Sequence, residues 1–244
     1  PLGLQVTGNT VEDFRKLSKL SILQEYDLVD INCGCPSVKI VGSEAGSFLL
    51  KDPDKIASMI RVLKDSGLTV TAKIRLGYKL NNVMEISKKI DSAGADLLTI
   101  HARTSEQRNS EPAAWSWISK VKREIGIPLV GNGGVVDGKT ASEMLEIADG
   151  AMVASAAIGN PFVFREILRF IRTGKENEIT QKERVNSFLE YVKLSEKHKV
   201  FDMGRAKHLG GNFLTGFSGA SKARAQLMSV KTQEELISFI QKFN

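Results

Sequence analysis

Six short apolar runs separated by segments of helical period constrain this chain more than any other feature. The runs cover residues 2–6, 28–32, 70–75, 97–101, 129–132 and 150–154, and the helical patterns between them cover 11–25, 54–66, 83–93, 115–124 and 141–147. Strands that are apolar at nearly every position, each followed by an amphipathic helix, are buried on both faces. The economical arrangement is a parallel sheet covered by helices. Helix starts are marked by Asp52-Pro53, an N-cap followed by proline, and by Thr10 ahead of Asp13. The predicted fold is α/β, a parallel (β/α)8 TIM-type barrel. Such a barrel needs eight strands, and six are visible, so the expectation is a barrel lacking its first two strands. An open doubly wound sheet is the alternative.

The pattern changes after the sixth run. Residues 162–172 read as a closing helix and 174–179 as a polar link, and the remainder is helical throughout. Thr180 with Glu183 and Thr232 with Glu235 have capping-box spacing, and Val185, Phe188, Leu189 and Val192 form one buried stripe. The expected domains are an incomplete barrel at 1–173 and a small helical bundle at 180–244. The net charge of +6 is carried entirely from Arg165 onward, since acidic and basic groups balance before it. This asymmetry fits either a solvated helical face or a polyanionic partner for the C-terminal part. No apolar run reaches the roughly 20 residues of a membrane span, and no signal peptide is visible. Two cysteines, Cys33 and Cys35, too close to staple a fold, fit a reducing cytoplasm.

One polar residue sits near the C-terminal end of each of five strands: Gln5, Asn32, Lys73, His101 and Asn132. Barrel active sites are assembled at that end from several strands. Lys73 lies within a strand expected to be buried, where an unpaired ammonium is costly. It therefore needs a paired carboxylate, with Asp30 as candidate, an electron-rich ring, or an anion; the anionic ring of a reduced flavin fits better than the salt bridge. Gly131-Asn132-Gly133-Gly134 offers main-chain amides to a phosphate, and the small residues Val153-Ala154-Ser155-Ala156 leave amides accessible in the next unit. Cys35, between Gly34 and Pro36, suits a nucleophile or a proton donor, while Cys33 is expected to pack as a small apolar group. Two thiols without a nearby histidine are too few for zinc.

Taken in order, the motifs resemble the flavin-dependent tRNA-dihydrouridine synthase family over essentially the whole chain. They are residues 1–8, Asp30-Ile31-Asn32-Cys33-Gly34-Cys35-Pro36, Gly46-Ser47-Phe48-Leu49-Leu50, Lys73-Ile74-Arg75-Leu76-Gly77, His101-Ala102-Arg103-Thr104, Asn132-Gly133-Gly134, Gly159-Asn160-Pro161 and Arg205-Ala206-Lys207-His208-Leu209. The resemblance implies an FMN-dependent oxidoreductase, with NADPH or NADH as reductant, that reduces one uridine of tRNA to 5,6-dihydrouridine. Hydride would pass from the flavin N5 to C6 and a proton from Cys35 to C5. It also implies cofactor binding by Gln5, Lys73, His101, Asn132, Gly133, Gly134, Ala154 and Ser155. Substrate binding falls to Asn32, Arg103, Arg205 and Lys207, with the helical domain gripping tRNA phosphates. The expected molecule is a monomer without membrane or metal partners. The chain departs from the family pattern at Asn109, Glu111, Ser155 and Gly210-Gly211-Asn212-Phe213. Two alternatives stay open: a barrel flavoenzyme acting on a free pyrimidine, as dihydroorotate dehydrogenase does, and an RNA-binding protein that has lost its flavin.

Overall fold

The computed structural model describes residues 1–176, 179–215 and 217–243. Six parallel strands form one sheet in sequential order: β1 (Gly3–Val6), β2 (Leu28–Cys33), β3 (Val70–Arg75), β4 (Leu97–His101), β5 (Leu129–Asn132) and β6 (Gly150–Met152). Neighbours in sequence are neighbours in space throughout, the connectivity of consecutive β/α barrel units. The doubly wound alternative requires a reversal of strand order, and the sheet has none. Among the described residues, β1 pairs only with β2 and β6 only with β5, so the sheet does not close.

The helices are α1 (Val11–Leu17), α2 (Val38–Gly42), α3 (Pro53–Lys64), α4 (Val83–Ser92), α5 (Ser116–Lys122), α6 (Gly138–Leu145), α7 (Val163–Thr173), α8 (Gln181–Lys197), α9 (Met203–Phe213), α10 (Ala220–Ser229) and α11 (Gln233–Gln241). The marked starts form as expected: Thr10 accepts from the Asp13 amide, and Asp52 from the Lys55 amide ahead of Pro53. The helix expected over 11–25 is interrupted. It stops at Leu17, where the Ser18 hydroxyl donates to the Arg15 carbonyl, and a separate 3-10 turn covers Ser21–Glu25. The strand expected to reach residue 154 ends at Met152, and a 3-10 turn follows at Ser155–Ala157.

The chain divides into two compact units, residues 1–135 with 140–152, and residues 136–139 with 153–244. The helix expected to close the barrel, α7, groups with the C-terminal helices. Of the link at 174–179, residues 177 and 178 lie outside the described residues.

In the first unit, Val29, Ile31 and Cys33 alternate with Asp30 and Asn32 along β2, and the former are fully buried. The helical face of α3 contributes Ile56, Met59, Ile60 and Leu63 to this apolar layer. Each such side chain contributes about 1.5–3 kcal/mol. A repeated device fixes the N-terminal ends of the strands. Asp27, Asp96 and Asp149 stand just before β2, β4 and β6. Their carboxylates accept from the amides of Leu2, Val70 and Leu129, the first residues or immediate forerunners of the neighbouring strands, at 2.5, 2.7 and 2.7 Å. Lys64 and Lys122 neutralise the second and third of these carboxylates. The second unit has its own core, in which Phe188, Val192, Phe213, Leu227, Leu236 and Ile240 meet. Both expected capping boxes, at Thr180 and Thr232, are formed.

Candidate functional site

Register brings the polar strand residues onto one face of the sheet. Gln5 lies beside Asp30, Asp30 beside Thr71, Asn32 beside Lys73, Lys73 beside Thr99, and His101 beside Asn132. The alternate residues point into the apolar layer.

At the end of β2 the Asn32 side chain builds the cysteine loop. Its Oδ1 accepts from the amides of Gly34 and Cys35 at 3.1 and 3.0 Å, and its Nδ2 donates to Gln5 Oε1 at 2.9 Å. Gln5 Nε2 in turn donates to Asp30 at 2.7 Å. The Cys35 carbonyl accepts from the Ser47 amide at 3.0 Å, which folds the chain back over the loop. This return passes through Gly46 in the left-handed region at φ 60°, where an added methyl group would lie 2.7 Å from the Cys35 carbonyl oxygen. Gly46→Ala is therefore expected to cost about 1–3 kcal/mol and to displace the thiol. Denaturant midpoints and the alkylation rate of Cys35 check both effects, and unchanged values of both would contradict this account of the loop. The two cysteines separate as expected. Cys33 is fully buried, and burial, with Asp30 adding, pushes its thiol far above the ordinary range. Cys35 is half-buried.

Lys73 does not pair with Asp30, whose carboxylate is engaged by Gln5 and by Thr71 at 2.6 Å. The lysine Nζ donates instead to Asn132 Oδ1 at 3.2 Å, and Asn132 is held by its Nδ2 on the Met152 carbonyl at 2.8 Å. Burial lowers the lysine pKa, with the Arg75 charge adding and Asp30 opposing. Arg75 and Arg103 extend the positive cluster, and both are buried. Arg103 Nη1 lies 2.9 Å from His101 Nε2. A guanidinium only donates, so this ring nitrogen accepts and the imidazole is neutral. Burial, then the charges of Arg75, Lys73 and Arg103, push the His101 pKa down to about 3. Gly133, at φ 99°, carries the chain past this ring, where a methyl group would sit 2.7 Å from His101 Cδ2. The amides of Gly133 and Gly134 are not engaged by another group among the described residues.

The neutral His101 has a consequence for stability. Between pH about 6.5, the ordinary histidine value, and its lowered value of about 3, the unfolded chain binds a proton that the folded protein refuses. Stability therefore falls as pH drops through that window and gains nothing from this group above it. His101→Asn is expected to flatten the slope of unfolding free energy against pH there; an unchanged slope would show that His101 is not its source.

Thus Gln5, Asn32, Cys35, Lys73, His101, Arg103, Asn132, Gly133 and Gly134 belong to the first unit and lie at its strand ends. Ala154, Ser155, Arg205 and Lys207 belong to the second unit. There the Arg205 amide caps onto Asp202, and Lys207 Nζ donates to the Met228 carbonyl at 3.2 Å. Thr71, Ser47 and Arg75 take part in the site without being expected there as site residues, and Asp30 is expected only as a partner for Lys73; two-residue spacing from Asn32 and Lys73 is the sequence signal for Asp30, Thr71 and Arg75. Among the described residues, no group of three or more His, Cys, Asp or Glu could hold a metal. No helix among them is long and apolar enough to cross a membrane.

A family model described as "Dihydrouridine synthase (Dus)" matches residues 1–244. The chain belongs to the dihydrouridine synthase family. It is thus an enzyme of an oxidoreductase family. It is similar to the probable tRNA-dihydrouridine synthase 1 of Synechocystis, with 31% identity over 96% of this chain and 68% of that protein. A probable tRNA-dihydrouridine synthase of Aquifex aeolicus is 29% identical over 99% of this chain and 78% of its own length. The tRNA-dihydrouridine synthase B of Proteus vulgaris is 34% identical over 70% of this chain and 55% of its own length.

Proposed function

We propose that this dihydrouridine synthase family member reduces a uridine of tRNA to 5,6-dihydrouridine, using FMN and a nicotinamide reductant, with Cys35 as proton donor. One observation carries the reading: the half-buried Cys35 thiol stands on a braced loop beside a cluster of three cations. The cofactor fit is tested by the donor set. Lys73 has protons to spare beyond its bond to Asn132, the Gly133 and Gly134 amides meet no acceptor among the described residues, and the neighbouring carboxylate, Asp30, is already engaged. Such a set accepts an anion. Lys73 and Asn132 would hold the flavin ring, and Gly133 and Gly134 its phosphate, with Gln5 and His101 lining the group.

When bound in this site and reduced by NADPH or NADH, FMN would supply the hydride that C6 of the uracil accepts. The Cys35 S–H bond breaks as a C5–H bond forms, and the electron pair stays on sulfur. Asn32 aims this thiol by fixing the Cys35 amide. The neutral His101 accepts from Arg103 and so adds no fourth charge to the cluster. A base within folded tRNA has to leave its stack to reach such a site, and the basic C-terminal residues, Arg205 and Lys207 among them, suit phosphate contacts. Anaerobic oxidation of the nicotinamide by the flavin-loaded protein tests the substrate class. Oxidation coupled to unmodified tRNA and not to free uridine or uracil is expected; coupling to the free pyrimidine alone would replace tRNA as the substrate.

A further inference from the structure

We propose that Arg75 is a positioning residue for Cys35, clamping the cysteine loop to the loop after β4. This deepens, and rests on, the reading of Cys35 as the proton donor. Arg75 is the last residue of β3, and the residue is 6% exposed. Its Nε donates to the Gly34 carbonyl at 2.9 Å, one residue before the thiol, and its Nη1 donates to the Thr104 carbonyl at 2.8 Å. Both acceptors are neutral main-chain groups, and none of the ion pairs among the described residues uses this guanidinium. A buried arginine whose visible bonds join two loops, 41 and 29 residues away in sequence, serves their geometry.

The 3-10 turn at Gly46–Lys51, whose Ser47 amide donates to the Cys35 carbonyl, is itself tied to the loop after β4 by the 2.6 Å bond between Ser47 Oγ and Ser105 Oγ, with Ser47 fully buried. The Leu76 amide, directly after β3, donates to the Arg103 carbonyl at 3.0 Å and so ties the end of that strand to the loop after β4. Asn32 holds the Gly34 and Cys35 amides, whereas Arg75 holds the Gly34 carbonyl, so both ends of the Gly34 peptide environment are fixed. A rigid planar fork can hold two carbonyls at once; an ammonium cannot reproduce that geometry.

The experiment compares wild type with Arg75→Gln and Arg75→Lys, both flavin-loaded. Two readouts are taken: steady-state dihydrouridine formation on unmodified tRNA, and iodoacetamide alkylation of each cysteine by peptide mass spectrometry. Fully buried Cys33 reports folding, because it reacts only when the core opens. Both variants are expected to leave Cys33 protected, to alkylate Cys35 faster than wild type, and to lower kcat by about 10- to 100-fold. KM for tRNA should stay within about threefold, since the clamp touches no substrate. Arg75→Lys keeps the charge and most of the volume, so it tests the clamp even if Arg75→Gln exposes Cys33. Wild-type kcat in Arg75→Lys would overturn the proposal, as would a loss confined to KM. If wild type itself forms no dihydrouridine, the functional reading fails. The alkylation rates then still decide the clamp: an unchanged Cys35 rate in Arg75→Lys overturns it, and a faster one supports it.

Discussion

Cys35→Ala is expected to lower dihydrouridine formation by about 10²–10⁴-fold, the range that a positioned proton donor contributes, while the protein stays folded and retains flavin. The thiol is half-buried on a loop whose main chain is held by Asn32, Ser47 and Arg75. Its side chain makes none of those bonds, so truncation removes chemistry and leaves the loop in place. Cys33→Ala is the control. It removes a fully buried sulfur from the apolar layer and is expected to cost stability rather than the chemical step. Nucleoside mass spectrometry of tRNA after incubation with each variant measures the first effect, and chemical denaturation measures the second. Equal turnover in Cys35→Ala and wild type would remove Cys35 from the mechanism.

Lys73→Met has the second large expected effect, loss of flavin from the purified protein. Among the described residues the ammonium has one neutral acceptor, Asn132, and burial already disfavours its charged form. An anion beside it relieves that cost, so binding energy and lysine charge are linked. Methionine keeps the stem and removes the charge. A drop of at least about tenfold in FMN affinity, roughly 1.4 kcal/mol, is expected in fluorescence titration, together with equal or higher resistance to denaturant without flavin. An unchanged affinity would place the flavin away from Lys73.

The strands were legible because their buried runs alternate with helices at regular spacing, and five of the six differ by no more than one residue at either end from what the pattern predicts. The first five strand-end residues were legible too, since two-residue alternation puts Gln5, Asn32, Lys73, His101 and Asn132 on a common face. What pairs with what was not. Sequence spacing offered Asp30 to Lys73, but the register sets Asp30 between Gln5 and Thr71, which take its carboxylate. The Arg75 clamp depends on carbonyls, which no side-chain pattern announces. The aspartates that tie the strand starts reach 20 to 26 residues back along the chain. The break in the first helix follows from a local serine bond competing with the helical ladder, a choice that helix periodicity does not record.

Incubation of unmodified tRNA with the flavin-loaded protein and NADPH, followed by nucleoside mass spectrometry, tests the central claim most directly. The account predicts dihydrouridine at a defined position with wild type and essentially none with Cys35→Ala. Fully flavin-loaded wild-type protein that leaves every uridine of that tRNA unreduced would contradict it.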